Sequence, residues 1–378
     1  MESCFDAIRP YYDCEIPPAC ARMMAHPYLD DIAKFLKMSG GDELREILSL
    51  CSNVDDFQNR IMVFVVGRIL ENTSDGVTYG GMEYFDSPTK HVIITNHRDI
   101  VLDSAIIQYI FHKHKIKTTE IAVGDNLISS QFIEDVARSN KMIKVTRSTS
   151  PRELYNSSLL LSKYIRSRVA TQKSSIWIAQ RNGRTKDGLD LTEQGLLKML
   201  ELSGSGDFEV DMKELNILPV AISYEFEPCD ALKARELYIS RRQKYVKQQG
   251  EDLKSILTGM TGWKGRIHFE FTEPVLPEEV EYCSNFAKNE RFIELAKIID
   301  KQIHSTYRLW PNNYIAYDIE KGEQSSTANY SEAQKSSFIK HMDTQLNCVY
   351  EEGWNREELR ELFLGIYSNP VKAAKGEL

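Results

Sequence analysis

The chain lacks the pairs and runs that would mark several familiar classes of protein. Its seven cysteines, at 4, 14, 20, 51, 229, 283 and 348, are scattered and contain no Cys-x-x-Cys pair. That spacing argues against a disulfide framework and a zinc ribbon, and it suits a reducing compartment. The longest apolar run, residues 61–70, is about half of a membrane span and is interrupted by Arg68. The first residues, MESCFDAIRPYYDCEIP, contain no apolar stretch of the kind a secretory signal needs. Positive charge is also short: 47 Lys and Arg stand against 55 Asp and Glu, for a net charge of −8. A nucleic-acid partner is therefore not expected. The expectation from these absences is a cytoplasmic chain without a spanning helix, whose service to membranes, if any, is from the surface.

Short catalytic motifs are missing too. No Gly-x-Ser-x-Gly elbow occurs, and Ser203-Gly204-Ser205-Gly206 has the wrong spacing and follows a helical stretch. Gly259–Gly265 has glycines but not the Gly-Lys-Ser/Thr ending of a Walker A loop, and neither His-Glu-x-x-His nor Gly-x-Gly-x-x-Gly is found. His112 and His114 are two apart, a poor helical metal pair, so no metal site is expected. A soluble α/β hydrolase with a histidine base would lack its nucleophile elbow.

What is present falls into three zones: a helical region over 1–85, an α/β domain over 86–275 and a helical extension over 276–378. The first carries helical spacing at Leu29, Ile32, Phe35 and Leu36, then at Leu44, Ile47 and Leu48. Such apolar faces suit a core, or contact with lipid. In the second zone, β-branched runs at 91–95, 121–123, 142–146, 175–180, 218–225 and 266–271 alternate with helical stretches at 103–115, 129–139, 151–171 and 192–203. This alternation predicts an α/β fold with a mixed, largely parallel sheet flanked by helices. The third zone returns to helix, with a polar break at 321–331, and its Leu309–Tyr314 stretch reads as a packed helix-end turn. Residues 235–249 combine Lys and Arg with Tyr238 and Tyr245, which suits either a solvated helix face or contact with an anionic headgroup layer.

The most informative segment is His91-Val-Ile-Ile-Thr-Asn96-His97-Arg98-Asp99-Ile-Val-Leu-Asp103-Ser104. An apolar run delivers Asn96 and His97 where a strand should stop, and ligands of open α/β sheets gather beyond such strand ends. A histidine there is suited to removing a hydroxyl proton, and a nearby carboxylate can hold its tautomer. Asp103 alternatively fits the N-cap of the following helix. Downstream come Lys141–Arg147 (KMIKVTR), followed by a capping-box helix start at Ser150-Pro151-Arg152-Glu153. Then come Ile176–Gly188 (IWIAQRNGRTKDG) and Ile217–Tyr224 (ILPVAISY).

These four blocks, in this order, resemble the glycerolipid acyltransferase family, over roughly residues 85–275. The resemblance implies transfer of a fatty acyl group from an acyl-CoA or acyl carrier protein thioester to a hydroxyl of a phosphorylated glycerolipid acceptor, lysophosphatidic acid or glycerol 3-phosphate. It implies no cofactor beyond the thioester donor, and peripheral attachment at the cytosolic face of a membrane. His97 is then the general base, with no covalent acyl-enzyme, and Asp103, or failing that Asp99, orients it. Asn96, Arg98, Arg147, Gly183, Arg184 and Pro219 become the expected substrate contacts: Arg147 and Arg184 for phosphate, Gly183 for close backbone approach, Pro219 for the acyl channel.

Two departures stand out. Asp103 lies one residue further from His97 than the family's aspartate, with Leu102 in the expected place. Asn182 replaces the family's glutamate before Gly183, which motivates an alternative: a catalytically impaired lipid- or acyl-carrier-binding member of the same fold.

Overall fold

The computed structural model describes residues 2–85, 88–147 and 150–377. Among these residues seven strands form one sheet: β1 (Gly76–Gly80), β2 (Val92–Thr95), β3 (Glu120–Gly124), β4 (Met142–Val145), β5 (Ile176–Ala179), β6 (Leu218–Tyr224) and β7 (Arg266–Phe271). Their order is β1-β7-β6-β2-β5-β3-β4. Every neighbouring pair is parallel except β6–β7. The expected α/β architecture is what is found, with helices added at both ends of the chain.

The central strands are apolar on both sides because both sides are covered. Val92, Ile94, Ile176 and Ile178 face one core, built with helices Pro151–Val169, Gln194–Glu201, Pro277–Ser284 and Glu290–Thr306. Ile93, Trp177, Leu218, Val220 and Ile222 face the other, against helices Val63–Thr73 and Leu102–Lys113. Helices 277–306 thus share a core with β2 and β5, although they lie in the zone that the sequence sets apart as a C-terminal extension. The remaining C-terminal helices, Pro311–Lys321, Glu332–Val349 and Arg356–Lys375, form their own cluster with helix Asp230–Ser240.

β1 falls inside the region expected to be helical. Its residues, GVTYG, are mostly exposed and have no apolar alternation. What makes them a strand is pairing with β7 from Gly76 opposite Arg266 to Gly80 opposite Glu270, a contact that no local pattern announces. The helices before β1 behave as the spacing predicts. Ile16, Ala19, Leu29, Leu44, Leu48 and Phe57 turn their apolar faces onto one another and onto Phe132, so this face is core, while Phe35 of the predicted stripe stays exposed. At the other end, Trp310 is buried at the N-cap of helix Pro311–Lys321, and its backbone N–H donates to Asn313.

Candidate active site

β2 ends at Thr95, and the next residue locks the strand end in place. Asn96 is fully buried. Its amide donates to the Ile222 carbonyl at 2.9 Å and accepts from the Ile222 N–H at 2.7 Å, stitching β2 to β6, and donates again to Asp190 at 3.1 Å. With Oδ1 and its amide hydrogens engaged inside the fold, Asn96 positions the turn.

Arg98 is likewise turned inward. It has no exposed surface and lies between Asp190 and Glu227, with its guanidinium 5.3 Å from the centre of the Tyr307 ring. Burial works against its charge, but Asp190 and Glu227 outweigh that and hold it well above the ordinary arginine value. Lys233 joins the cluster, pairing with Glu227 and donating to the Arg98 carbonyl at 2.9 Å. Two cations and two anions thus share a buried site, and the turn carrying His97 is anchored from below.

His97 itself points the other way, toward the core that contains Trp177, whose ring it meets edge-on at 5.8 Å. Its Nδ1 lies 2.8 Å from Asp103 Oδ2. The same Asp103 oxygen accepts the backbone N–H groups of Arg98 at 2.6 Å and Asp99 at 2.9 Å, and Oδ1 accepts the Tyr224 hydroxyl at 2.8 Å. Burial, then the charges of Asp103 and Asp99, push the Tyr224 phenol far up, so it stays a donor. Against an acceptor this crowded with donors, the His97 proton belongs on Nδ1, which leaves Nε2 as the free base. Among the described residues no protein group hydrogen-bonds Nε2.

Asp103 is not the N-cap that its position suggests. Helix Leu102–Lys113 begins one residue earlier, and it is Asp99 whose Oδ1 accepts the N–H groups of Val101 and Leu102, at 2.9 and 2.8 Å. The two carboxylates divide the work: Asp99 starts the helix and Asp103, in its first turn, faces His97. The extra residue in the His-to-Asp spacing is taken up in the turn at 98–101, and Leu102 is buried in the core.

The loop after β5 comes to the same place. Thr185 donates its N–H to the His97 carbonyl at 2.8 Å and its hydroxyl to Asp190 at 2.8 Å. This sets Arg184 beside the histidine turn. Among the described residues the buried Arg184 Nη1 has no hydrogen-bond partner, and the guanidinium opposes the upward push that burial gives the Cys229 thiol. Gly183 is left-handed, with φ of 82°, and open space where a side chain would stand. Asn182 is exposed, and its backbone N–H donates to Glu193.

Arg147 is further off. It follows β4, and β5 and β3 lie between β4 and β2, a gap of roughly 14 Å at the usual strand spacing. Its side chain leans back across the end of β3, so close that a Cβ on Gly124 would fall 2.6 Å from Arg147 Nε. Pro219 is not at the strand ends at all. It pairs with Ile94 inside β6, about 10 Å before His97 along the strand direction, and its carbonyl accepts from Thr272.

Tyr224, Thr185, Asp190, Glu227 and Lys233 were not singled out by their local sequence. Tyr224 has the one visible signal, as the last residue of an apolar strand. Among the described residues no three His, Cys, Asp or Glu side chains gather as a metal site.

Against this geometry stand the comparisons with known proteins. A family model described as Acyltransferase matches residues 76–223, from the start of β1 to the penultimate residue of β6, and so contains the first three blocks and all but the last residue of the fourth. No curated protein matches the chain. Residues 76–223 thus match the acyltransferase family, over the stretch that holds His97, Asp103 and Arg184.

Proposed function

We propose that the protein moves a fatty acyl group from an acyl-CoA or acyl carrier protein thioester to a hydroxyl of a phosphorylated glycerol acceptor, lysophosphatidic acid or glycerol 3-phosphate, in phospholipid biosynthesis. The observation that carries this reading is the His97–Asp103 contact at the end of β2, with Nε2 unengaged. The acceptor hydroxyl gives its proton to Nε2 as its oxygen forms a bond to the thioester carbonyl carbon. The C–S bond then breaks, and the leaving thiolate takes the proton back from Nε2. Asp103 stabilises the transient imidazolium, and no residue of the chain becomes acylated.

Arg184, with an unspent buried donor beside the histidine turn, is the first candidate for the acceptor phosphate, since a guanidinium presents paired donors to phosphate oxygens. Arg147, leaning toward the site from β4, is the second. The exposed Asn182 favours an active enzyme over an impaired one, because the His97–Asp103 contact does not pass through it. The reading includes peripheral attachment at the cytosolic face of a membrane, and among the described residues no helix is long and apolar enough to cross one.

The test is an acyl-transfer assay in which acyl-CoA and acyl carrier protein donors are each offered lysophosphatidic acid, glycerol 3-phosphate and an amino-acid-headed lysolipid. Turnover with a phosphate-bearing acceptor is expected. Transfer confined to the amino-acid lysolipid would overturn the acceptor assignment.

A further inference from the structure

The strand-end side of the sheet that presents His97 also carries an apolar surface left exposed among the described residues. After helix Asp230–Ser240 the chain runs irregularly to Gly250 and then forms helix Glu251–Thr261. The inner side of this helix sits on three loops at the strand ends. Gly259 packs so tightly on the His97 turn that a Cβ would lie 2.0 Å from Asp99 Oδ2. The Ser255 carbonyl accepts from Cys229 Sγ at 3.2 Å, and Asp252 accepts from Asn126 at 3.1 Å.

The outer side is different. Leu253 and Leu257, one helical turn apart, are 60% and 49% exposed. Val246 before the helix is 67% exposed and Trp263 after it 51%. β7 runs antiparallel to β6 with Ile267 opposite Tyr224, so Trp263 lies at the edge where β2 and β6 end. Leu154 and Tyr155 are exposed in the first turn of the helix that follows β4, at the same edge. Exposed apolar side chains scattered singly need no explanation, but a cluster around the mouth of a site does.

The charges around this cluster are mostly positive. Residues 241–263 contain Arg241, Arg242, Lys244, Lys247 and Lys254 against Glu251 and Asp252, in a chain whose net charge is −8. Arg241 and Arg242 pair with Glu358, and Lys247 with Asp252. Lys244 and Lys254 are exposed and have no acidic partner among the described residues. A second copy of this face would set those lysines against like charges, whereas an anionic headgroup layer would match them.

We propose that this is the face by which the protein docks on a bilayer containing anionic phospholipid, with helix Glu251–Thr261 lying in the interface. Leu253, Leu257 and Trp263 enter the boundary between headgroups and acyl chains, and Lys244 and Lys254 stay with the headgroups. The docked helix also holds the His97 turn through Gly259, so the site opens where acyl-bearing substrates reside. The inference rests on the acyltransferase reading and adds to it a surface and an orientation.

The test uses the full chain and sedimenting vesicles of phosphatidylcholine, with or without about one-third phosphatidylglycerol. The protein is expected to bind the anionic vesicles with a blue shift in tryptophan emission that Trp263→Phe removes, because Trp177 and Trp310 are already buried and the half-buried Trp354 is stacked on Tyr238. Leu253→Ser with Leu257→Ser, and separately Lys244→Glu with Lys254→Glu, should each lower vesicle partitioning by about tenfold or more. Both double variants should keep the wild-type transfer rate on acceptor dispersed in detergent. Wild-type protein that transfers acyl groups in detergent but ignores anionic vesicles would overturn the docking inference alone. Vesicle binding without any transfer would overturn the function alone. A drop in solution mass caused by the leucine substitutions would assign the face to a second copy and overturn the docking inference.

Discussion

His97 owes its tautomer to one carboxylate, and that carboxylate owes its position to three other donors. Asp103 accepts from His97 Nδ1, from the N–H groups of Arg98 and Asp99 and from the Tyr224 hydroxyl. An asparagine offers one oxygen where all four of these contacts call for an acceptor. Asp103→Asn should therefore lower the turnover number by about a thousandfold or more with little change in KM, because the free base on Nε2 is lost while binding groups stay. Steady-state kinetics on both substrates would check this, and a turnover number within tenfold of wild type would contradict it. At this scale the sequence is half legible. His97, Asp103 and Asp99 sit in one short segment, so their proximity is readable, although which carboxylate faces the ring depends on where the helix starts. Tyr224, Asp190, Glu227 and Lys233 are more than 80 residues from that segment, and only the sheet brings them in. The inward turn of Asn96 and Arg98 follows from the same cause: their partners belong to β6, the β5 loop and the chain beyond β6.

Among the elements, helix Glu251–Thr261 makes the sharpest demand on one residue. Alanine at a glycine inside a helix ordinarily gains up to about 1 kcal/mol of helix propensity. At Gly259 the new Cβ would lie 2.0 Å from Asp99 Oδ2, and Asp99 caps the helix that carries Asp103. Overpacking of this kind costs about 1–3 kcal/mol, so the steric term wins and Gly259→Ala should destabilise the protein and slow acyl transfer. Urea unfolding and an activity assay on the same sample would check both; a stabilised, fully active variant would contradict the packing. The strands with apolar runs and the helices with clear spacing are readable in the sequence, because burial on two faces leaves a mark on every residue. β1 leaves none: it is short, polar and at the sheet edge, and its partner β7 lies almost two hundred residues away.

For the whole molecule, stability and chemistry meet at the crowded edge above the sheet. Lys264 is buried between helix Val63–Thr73 and the start of β7, donating to Thr73 Oγ1 at 2.9 Å and the Gly262 carbonyl at 2.6 Å. Burial pushes it down to about 8, against the opposing pull of Asp99 and Cys229. Its folded value thus lies below its unfolded one, so between the two the unfolded chain binds more protons and stability rises with pH. Compared with Lys264→Met, the wild type should gain stability as pH rises from about 8 toward about 10. Denaturant titrations of both proteins at several pH values would check this, and a difference independent of pH would contradict it. The same edge gathers the His97 turn, the Arg184 loop and the exposed leucines, which is why one substitution can separate fold from chemistry. The most direct measurement is thioester-to-acceptor acyl transfer by purified wild type and His97→Ala, with circular dichroism recorded on both. Loss of transfer by about a thousandfold or more in a variant with an unchanged spectrum is expected. Transfer by His97→Ala within tenfold of wild type would contradict His97 as the base.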